Sequence, residues 1–121
     1  MIRLLHVEDD TDIREIARLA LELSGDFEVV QCASGADAIA MLDRFSPDVL
    51  LLDMMMPGMT GKETLTRIRA IEKFARIPAV FMTARAQLAQ LEELRAVGAA
   101  EVIRKPFDPM ALGDQIKEAM R

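Results

Sequence analysis

Val49-Leu50-Leu51-Leu52-Asp53 is a run of four apolar residues closed by an acid. Nothing in it alternates toward water. A strand made from it is buried on both faces, and strands of that kind belong to parallel sheets. Pro47 precedes the run, while Gly58 and Gly61 punctuate the segment after it, so it is bounded as a short strand should be.

The same reading extends outward. Arg3 to Val7 is a short apolar strand. Asp10 or Thr11 then caps a helix in which Ile13, Ile16, Ala17, Ala20 and Leu23 recur at helical spacing, and Gly25 stops it. Phe27 to Cys32 is rich in β-formers and gives a second strand. Ala38, Ile39, Leu42 and Phe45 face a second helix that Pro47 closes. Beyond Asp53, Leu65, Ile68 and Ile71 mark a third helix, and Pro78 to Met82 a fourth strand. Leu88, Leu91 and Leu94 mark a fourth helix ending near Gly98, and Glu101 to Arg104 form a fifth strand. Asp108 followed by Pro109 predicts the start of a last helix carrying Leu112, Ile116 and Met120. Strand and helix thus alternate five times. The pattern predicts an α/β fold: a doubly wound, five-stranded parallel sheet with five helices, in the flavodoxin-like order 2-1-3-4-5.

Composition sets the outer bounds. The chain has 121 residues, which suits one domain spanning 1–121, and 51% of them are hydrophobic, enough for a core. Acids outnumber bases 20 to 15, for a net charge of −5, which argues against direct nucleic-acid binding. No apolar run approaches the roughly 20 residues that cross a bilayer, so no membrane role is expected. The single cysteine, Cys32, cannot form an internal disulfide and fits a reducing cytoplasm as a small buried strand residue. His6 lies inside a strand and is expected to be packed there, and Met54, Met55, Met56 and Met59 read as adaptable packing rather than a soft-metal site.

Function is expected beyond the carboxyl ends of the strands, at the point where strand order reverses, here between the first and third strands. The first strand runs into Glu8, Asp9 and Asp10, and the third into Asp53. Clustered carboxylates repel unless a cation joins them. A hard divalent ion resolves the conflict, and magnesium suits a site with few carboxylates, with manganese as its alternative. Asp10 has a second reading as the cap of the first helix. The fourth strand ends at Thr83, followed by the small Ala84, and the fifth at Lys105, bringing a hydroxyl and an ammonium to the same edge. Taken singly, Thr83 reads as a helix cap and Lys105 as a surface lysine. Together with the acids they describe an aspartyl nucleophile whose phosphoryl group would be met by a metal, a lysine and a hydroxyl, with the small Ala84 leaving room for the donor.

His6-Val7-Glu8-Asp9-Asp10, the loop Asp53 to Gly61, Thr83-Ala84 and Lys105-Pro106-Phe107 together resemble the receiver domains of bacterial two-component response regulators, in order and spacing over essentially the whole chain. The resemblance implies a phosphorylation-dependent signalling switch rather than an enzyme acting on outside substrates. It implies that Asp53 accepts a phosphoryl group from a sensor histidine kinase or a histidine phosphotransfer protein. Glu8 and Asp9 would organise the metal, Asp9 being favoured as the direct ligand, and the backbone carbonyl of Met55 would add an oxygen. Thr83 and Lys105 would hold the phosphoryl oxygens, the Lys105–Pro106 bond would be cis, and a surface would change for a downstream protein. Many members carry Tyr or Phe three residues before the lysine; here that switch position is Val102. Two other readings compete: a phosphatase of the haloacid dehalogenase kind, disfavoured because Met55 stands where that family carries a second acid, and an interaction module indifferent to phosphorylation.

Overall fold

The computed structural model describes the backbone of residues 1–84 and 88–121, and the side chains of all of these except 88–90. Five parallel strands, β1 (Ile2–Val7), β2 (Phe27–Cys32), β3 (Val49–Asp53), β4 (Ala79–Thr83) and β5 (Glu101–Arg104), form one sheet in the order β2-β1-β3-β4-β5. Five α-helices join them among the described residues: α1 (Thr11–Ser24), α2 (Gly35–Met41), α3 (Gly61–Arg69), α4 (Leu88–Ala96) and α5 (Leu112–Ala119). This is the doubly wound, flavodoxin-like arrangement predicted from the alternation.

The two faces of the sheet carry separate cores, as the period-two geometry of strands requires. Leu5, Val7, Leu50, Leu52, Ala79 and Phe81 point to one side and pack with Ala38, Leu65, Ile68 and Leu94 of α2, α3 and α4. Leu4, Val49, Leu51, Val80, Met82 and Ile103 point to the other and pack with Ala17, Ala20 and Leu21 of α1 and Leu112 and Ile116 of α5. Every residue of β3 and β4 is buried, which is why those segments read as unbroken apolar runs.

Several local expectations need correction. On α1 the buried stripe is Ala17, Ala20 and Leu21, while Ile16 is 47% and Leu23 81% exposed. α2 ends at Met41 with Leu42 as its cap; Phe45 lies beyond it but is buried. Ile71 is outside α3 and precedes a short 3-10 turn, Glu72–Phe74. The last helix begins at Leu112 rather than after Asp108. Asp108 instead opens a turn: its side chain accepts from the Met110 N–H, and its carbonyl from Ala111 and Leu112. Mixed three- and four-residue bonding there makes an irregular lead-in, to which the fixed φ of Pro109 is suited. Leu88 and segment 85–87 lie outside the residues whose side chains are described.

Candidate functional site

β1 and β3 are neighbours, with Val7 opposite Leu52, so the residues that follow them emerge side by side. Glu8, Asp9 and Asp53 each offer a carboxylate oxygen within 4.8 Å of the others'. Glu8 and Asp53 are buried, and Asp9 is exposed. Asp10 does not join them. Its side chain accepts from the N–H groups of Asp12 (2.9 Å) and Ile13 (3.1 Å) and caps α1, the helix-cap alternative of the sequence reading.

Lys105 enters from the end of β5. Its Nζ lies 2.7 Å from Glu8 Oε1 and 3.1 Å from Asp53 Oδ1, so one ammonium bridges the two buried acids. The backbone that delivers it is fixed: the Lys105 N–H donates to the Thr83 carbonyl at 2.8 Å, and the Lys105–Pro106 bond is cis, as the resemblance implied. Thr83 is buried at the end of β4, Ala84 is exposed just after it, and Asp53 lies opposite Met82 in the sheet. The N–H of Met55 approaches Asp53 Oδ1 at 3.4 Å while its side chain is exposed. Val102 lies on β5 opposite Phe81, half-buried against the core.

Burial pushes the Glu8 carboxyl up from 4.5 to about 7, and its hydrogen bond with Asp53 adds to the rise, against the lowering effect of Lys105. Burial disfavours the Lys105 ammonium too, but its hydrogen bond to Glu8 and the negative charge of Asp53 and Glu8 outweigh that and hold it above its ordinary value. Glu8 is therefore the group of this cluster that takes up a proton near neutrality. Three carboxylates of which only two share an ammonium form a hard-oxygen set suited to a divalent cation, and Asp9, at the exposed side, is open to one.

The raised Glu8 value has a consequence for stability. A group whose folded pKa exceeds its unfolded value stabilises the fold at low pH, and that contribution is lost as pH rises, here between about 4.5 and about 7. His6 acts oppositely in an overlapping window. Burial, then Lys105 and Arg14, lower it from 6.5 to about 3, so its contribution is lost as pH falls. Only a difference between variants separates the two. In metal-free protein, Glu8→Gln, which keeps shape and can donate to Asp53, is expected to gain melting temperature relative to the parent as pH rises from 5 to 8. A difference that stays flat across that range would refute the assignment.

The sequence reading missed Arg14. From the second turn of α1, one guanidinium nitrogen donates to the carbonyls of Glu8 (2.7 Å) and Asp9 (3.2 Å). Gln31 on β2 donates to the Arg14 carbonyl at 2.7 Å and contacts His6 Nδ1 at 3.0 Å. Since a carbonyl can only accept, the Gln31 atom facing it is nitrogen, and Nδ1 of a neutral His6 is the acceptor of its second hydrogen. No signal local to the sequence marks this network, because its partners are mainly backbone carbonyls.

Residues 4–117 match the family described as the response regulator receiver domain. The phosphate regulon transcriptional regulatory protein PhoB of Pseudomonas aeruginosa is 34% identical over 118 residues, covering 98% of this chain and 51% of PhoB. The sporulation initiation phosphotransferase F of Bacillus subtilis is 33% identical over 116 residues, covering 96% of this chain and 91% of that protein. Among solved structures, the chemotaxis protein CheY4 of Vibrio cholerae superposes with a TM-score of 0.91 at 29% identity, covering 98% of both chains. The chain thus spans about half the length of relatives such as PhoB and most of the length of others.

Proposed function

This chain belongs to the response regulator receiver domain family of two-component signalling, and on that premise we propose that it is a phosphorylation-dependent switch whose acceptor is Asp53. The observation that carries the reading is the Lys105 ammonium bridging Glu8 and Asp53 beside an open Asp9. An Asp53 oxygen attacks the phosphorus of a phosphohistidine on a histidine kinase or phosphotransfer protein. The P–O bond forms as the P–N bond breaks, and the imidazole leaves. Glu8, Asp9, Asp53 and the Met55 carbonyl would hold magnesium, or manganese in its place. Bound there, the ion would supply neutralisation of the charge on the phosphoryl oxygens. Lys105 exchanges part of its contact with the acids for a phosphoryl oxygen, the Thr83 hydroxyl donates to another, and Ala84 leaves the approach open. No helix among the described residues is long and apolar enough to cross a membrane.

The downstream partner would read the face made by α4, β5 and α5. Lys105 leads out of β5 and Thr83 toward α4, so movement of either toward the phosphoryl group displaces the adjoining loops. Val102 has one stiff torsion and no ring to swing inward, so the shift would run mainly through Thr83 and the stretch beyond it.

The metal reading is tested at Asp9, which is exposed while Lys105 pairs with Glu8 and Asp53, so that it can be changed without freeing the buried pair. Asp9→Asn is expected to weaken magnesium binding by at least about tenfold, measured by titration of amide shifts. Unchanged affinity would remove Asp9 from the site.

A further inference from the structure

We propose that Arg14 is a positioning residue for the metal site: its guanidinium fixes the main chain that carries Glu8 and Asp9. Resting on the metal reading above, the inference goes beyond it by naming what holds the acidic loop in shape without metal. Three observations support it.

First, a single nitrogen, Nη1, donates to two successive carbonyls, Glu8 at 2.7 Å and Asp9 at 3.2 Å, while Nη2 approaches Thr11 Oγ1 at 3.4 Å. The guanidinium therefore ties Glu8, Asp9 and Thr11, three of the four residues from Glu8 to Thr11 over which β1 gives way to α1. The fourth, Asp10, is tied by its capping bonds and by the Arg14 N–H, which donates to the Asp10 carbonyl at 3.0 Å. Second, Arg14 forms no ion pair among the described residues; its donors go to carbonyl and hydroxyl oxygens. The carboxylates of Glu8 and Asp9 are left to the site. Third, the brace is itself anchored. Gln31 donates to the Arg14 carbonyl and to His6 Nδ1, so the start of α1, β2 and β1 are locked by one amide.

Positioning and simple electrostatics predict opposite signs. Arg14 places a positive charge close to a cation site, so removing it should tighten metal binding if charge is all that matters. If the brace matters, loss of loop geometry weakens binding despite the gain in field. Lysine keeps the charge, but its ammonium sits on a flexible stem and has no second nitrogen to reach Thr11 while the first serves the two carbonyls, so it does not fix the loop as the planar guanidinium does. Arg18, on the exposed side of the same helix, pairs with Glu22 and with no other acid among the described residues, and supplies a control of equal charge.

The experiment compares the parent, Arg14→Lys, Arg14→Gln and Arg18→Gln, well below their melting temperatures. Magnesium affinity is read by titration, and hydrogen exchange of amides 9–11 is read in metal-free protein. Both Arg14 variants should bind magnesium about tenfold more weakly, within the usual range for groups that orient metal ligands, and their amides 9–11 should exchange faster. Arg18→Gln should match the parent in both. If Arg14→Gln binds more tightly and Arg14→Lys is unchanged, Arg14 acts through charge and the proposal is overturned. Parent-like affinity and exchange in both variants also overturn it. Should Arg14→Gln fail to fold, Arg14→Lys carries the test. Should the parent bind no magnesium, the metal reading falls, and the exchange rates alone decide whether Arg14 holds the loop.

Discussion

Asp53→Asn is expected to take up no phosphoryl group under conditions where the parent takes up one per chain. The parent, incubated with magnesium and a small phosphodonor, should gain a phosphoryl group that is stable in acid and lost in base, as an acyl phosphate is. Asparagine keeps the shape of the side chain, but its amide oxygen is a poor nucleophile and carries no charge. The acid it replaces is buried and lies 3.1 Å from Lys105 Nζ. Removing its charge relieves the repulsion that helps to raise Glu8, and Glu8 remains as a partner for the lysine at 2.7 Å. The fold should therefore survive, with a melting temperature close to the parent's, and the loss can be assigned to chemistry. Intact mass spectrometry decides it. A full phosphoryl signal in the folded variant would move the acceptor elsewhere and overturn the function proposed here.

What the sequence displays well is burial. Leu50, Leu51 and Leu52 are all wholly buried in the centre of the sheet, and a run like that has few other uses. Once the strands are recognised, topology alone brings Glu8, Asp9, Asp53, Thr83 and Lys105 to one edge, since their strands all point the same way. Sequence reading was weaker where two faces compete. Leu21 and Leu23 are both leucines at plausible helical spacing, yet one is fully buried and the other 81% exposed. Only the packing of α1 against β2 and α5 selects between them. It also failed where backbone atoms do the bonding. The Asp108-Pro109 pair reads as the start of the last helix, but the carbonyl of Asp108 takes both Ala111 and Leu112, and regular helix waits until Leu112. Arg14 was invisible for the same reason. Its partners are the carbonyls of Glu8 and Asp9, and every residue has a carbonyl, so no residue type announces the contact.

Gly61→Ala is expected to damage both the fold and the site, more than a change at any other glycine of the same loop. Gly61 opens α3, after a capping box in which Thr60 and Glu63 exchange side-chain and backbone bonds. Its N–H donates to the Met54 carbonyl at 3.0 Å, which holds the start of α3 against the end of β3. A Cβ at Gly61 would lie 2.3 Å from the Asp53 carbonyl oxygen and 3.1 Å from the Met54 Cα. Both are backbone atoms, so no rotamer change relieves the overlap. Either α3 moves off, or the end of β3 moves with Asp53 on it. Overpacking of this kind costs about 1–3 kcal/mol, and movement of β3 would also spoil the metal site. Gly58 supplies the contrast. Its φ is +77, so alanine there is strained, but nothing lies within 4 Å of the added carbon. The strain should cost about 1 kcal/mol and leave the acids in place. At Gly35 the nearest atoms are the side chains of Met59, which can turn aside, and of Thr64, which is buried and donates to the Thr60 carbonyl at 2.8 Å; the backbone itself need not move, so an intermediate loss of stability is expected there. Melting temperatures and magnesium titrations of the three variants test the series. Gly61→Ala should melt lowest and bind magnesium more weakly, whereas Gly58→Ala should lose stability alone. Equal melting temperatures for those two, or parent-like magnesium binding in Gly61→Ala, would show that α3 yields and that the close approach of Gly61 to Asp53 does not hold the site in shape.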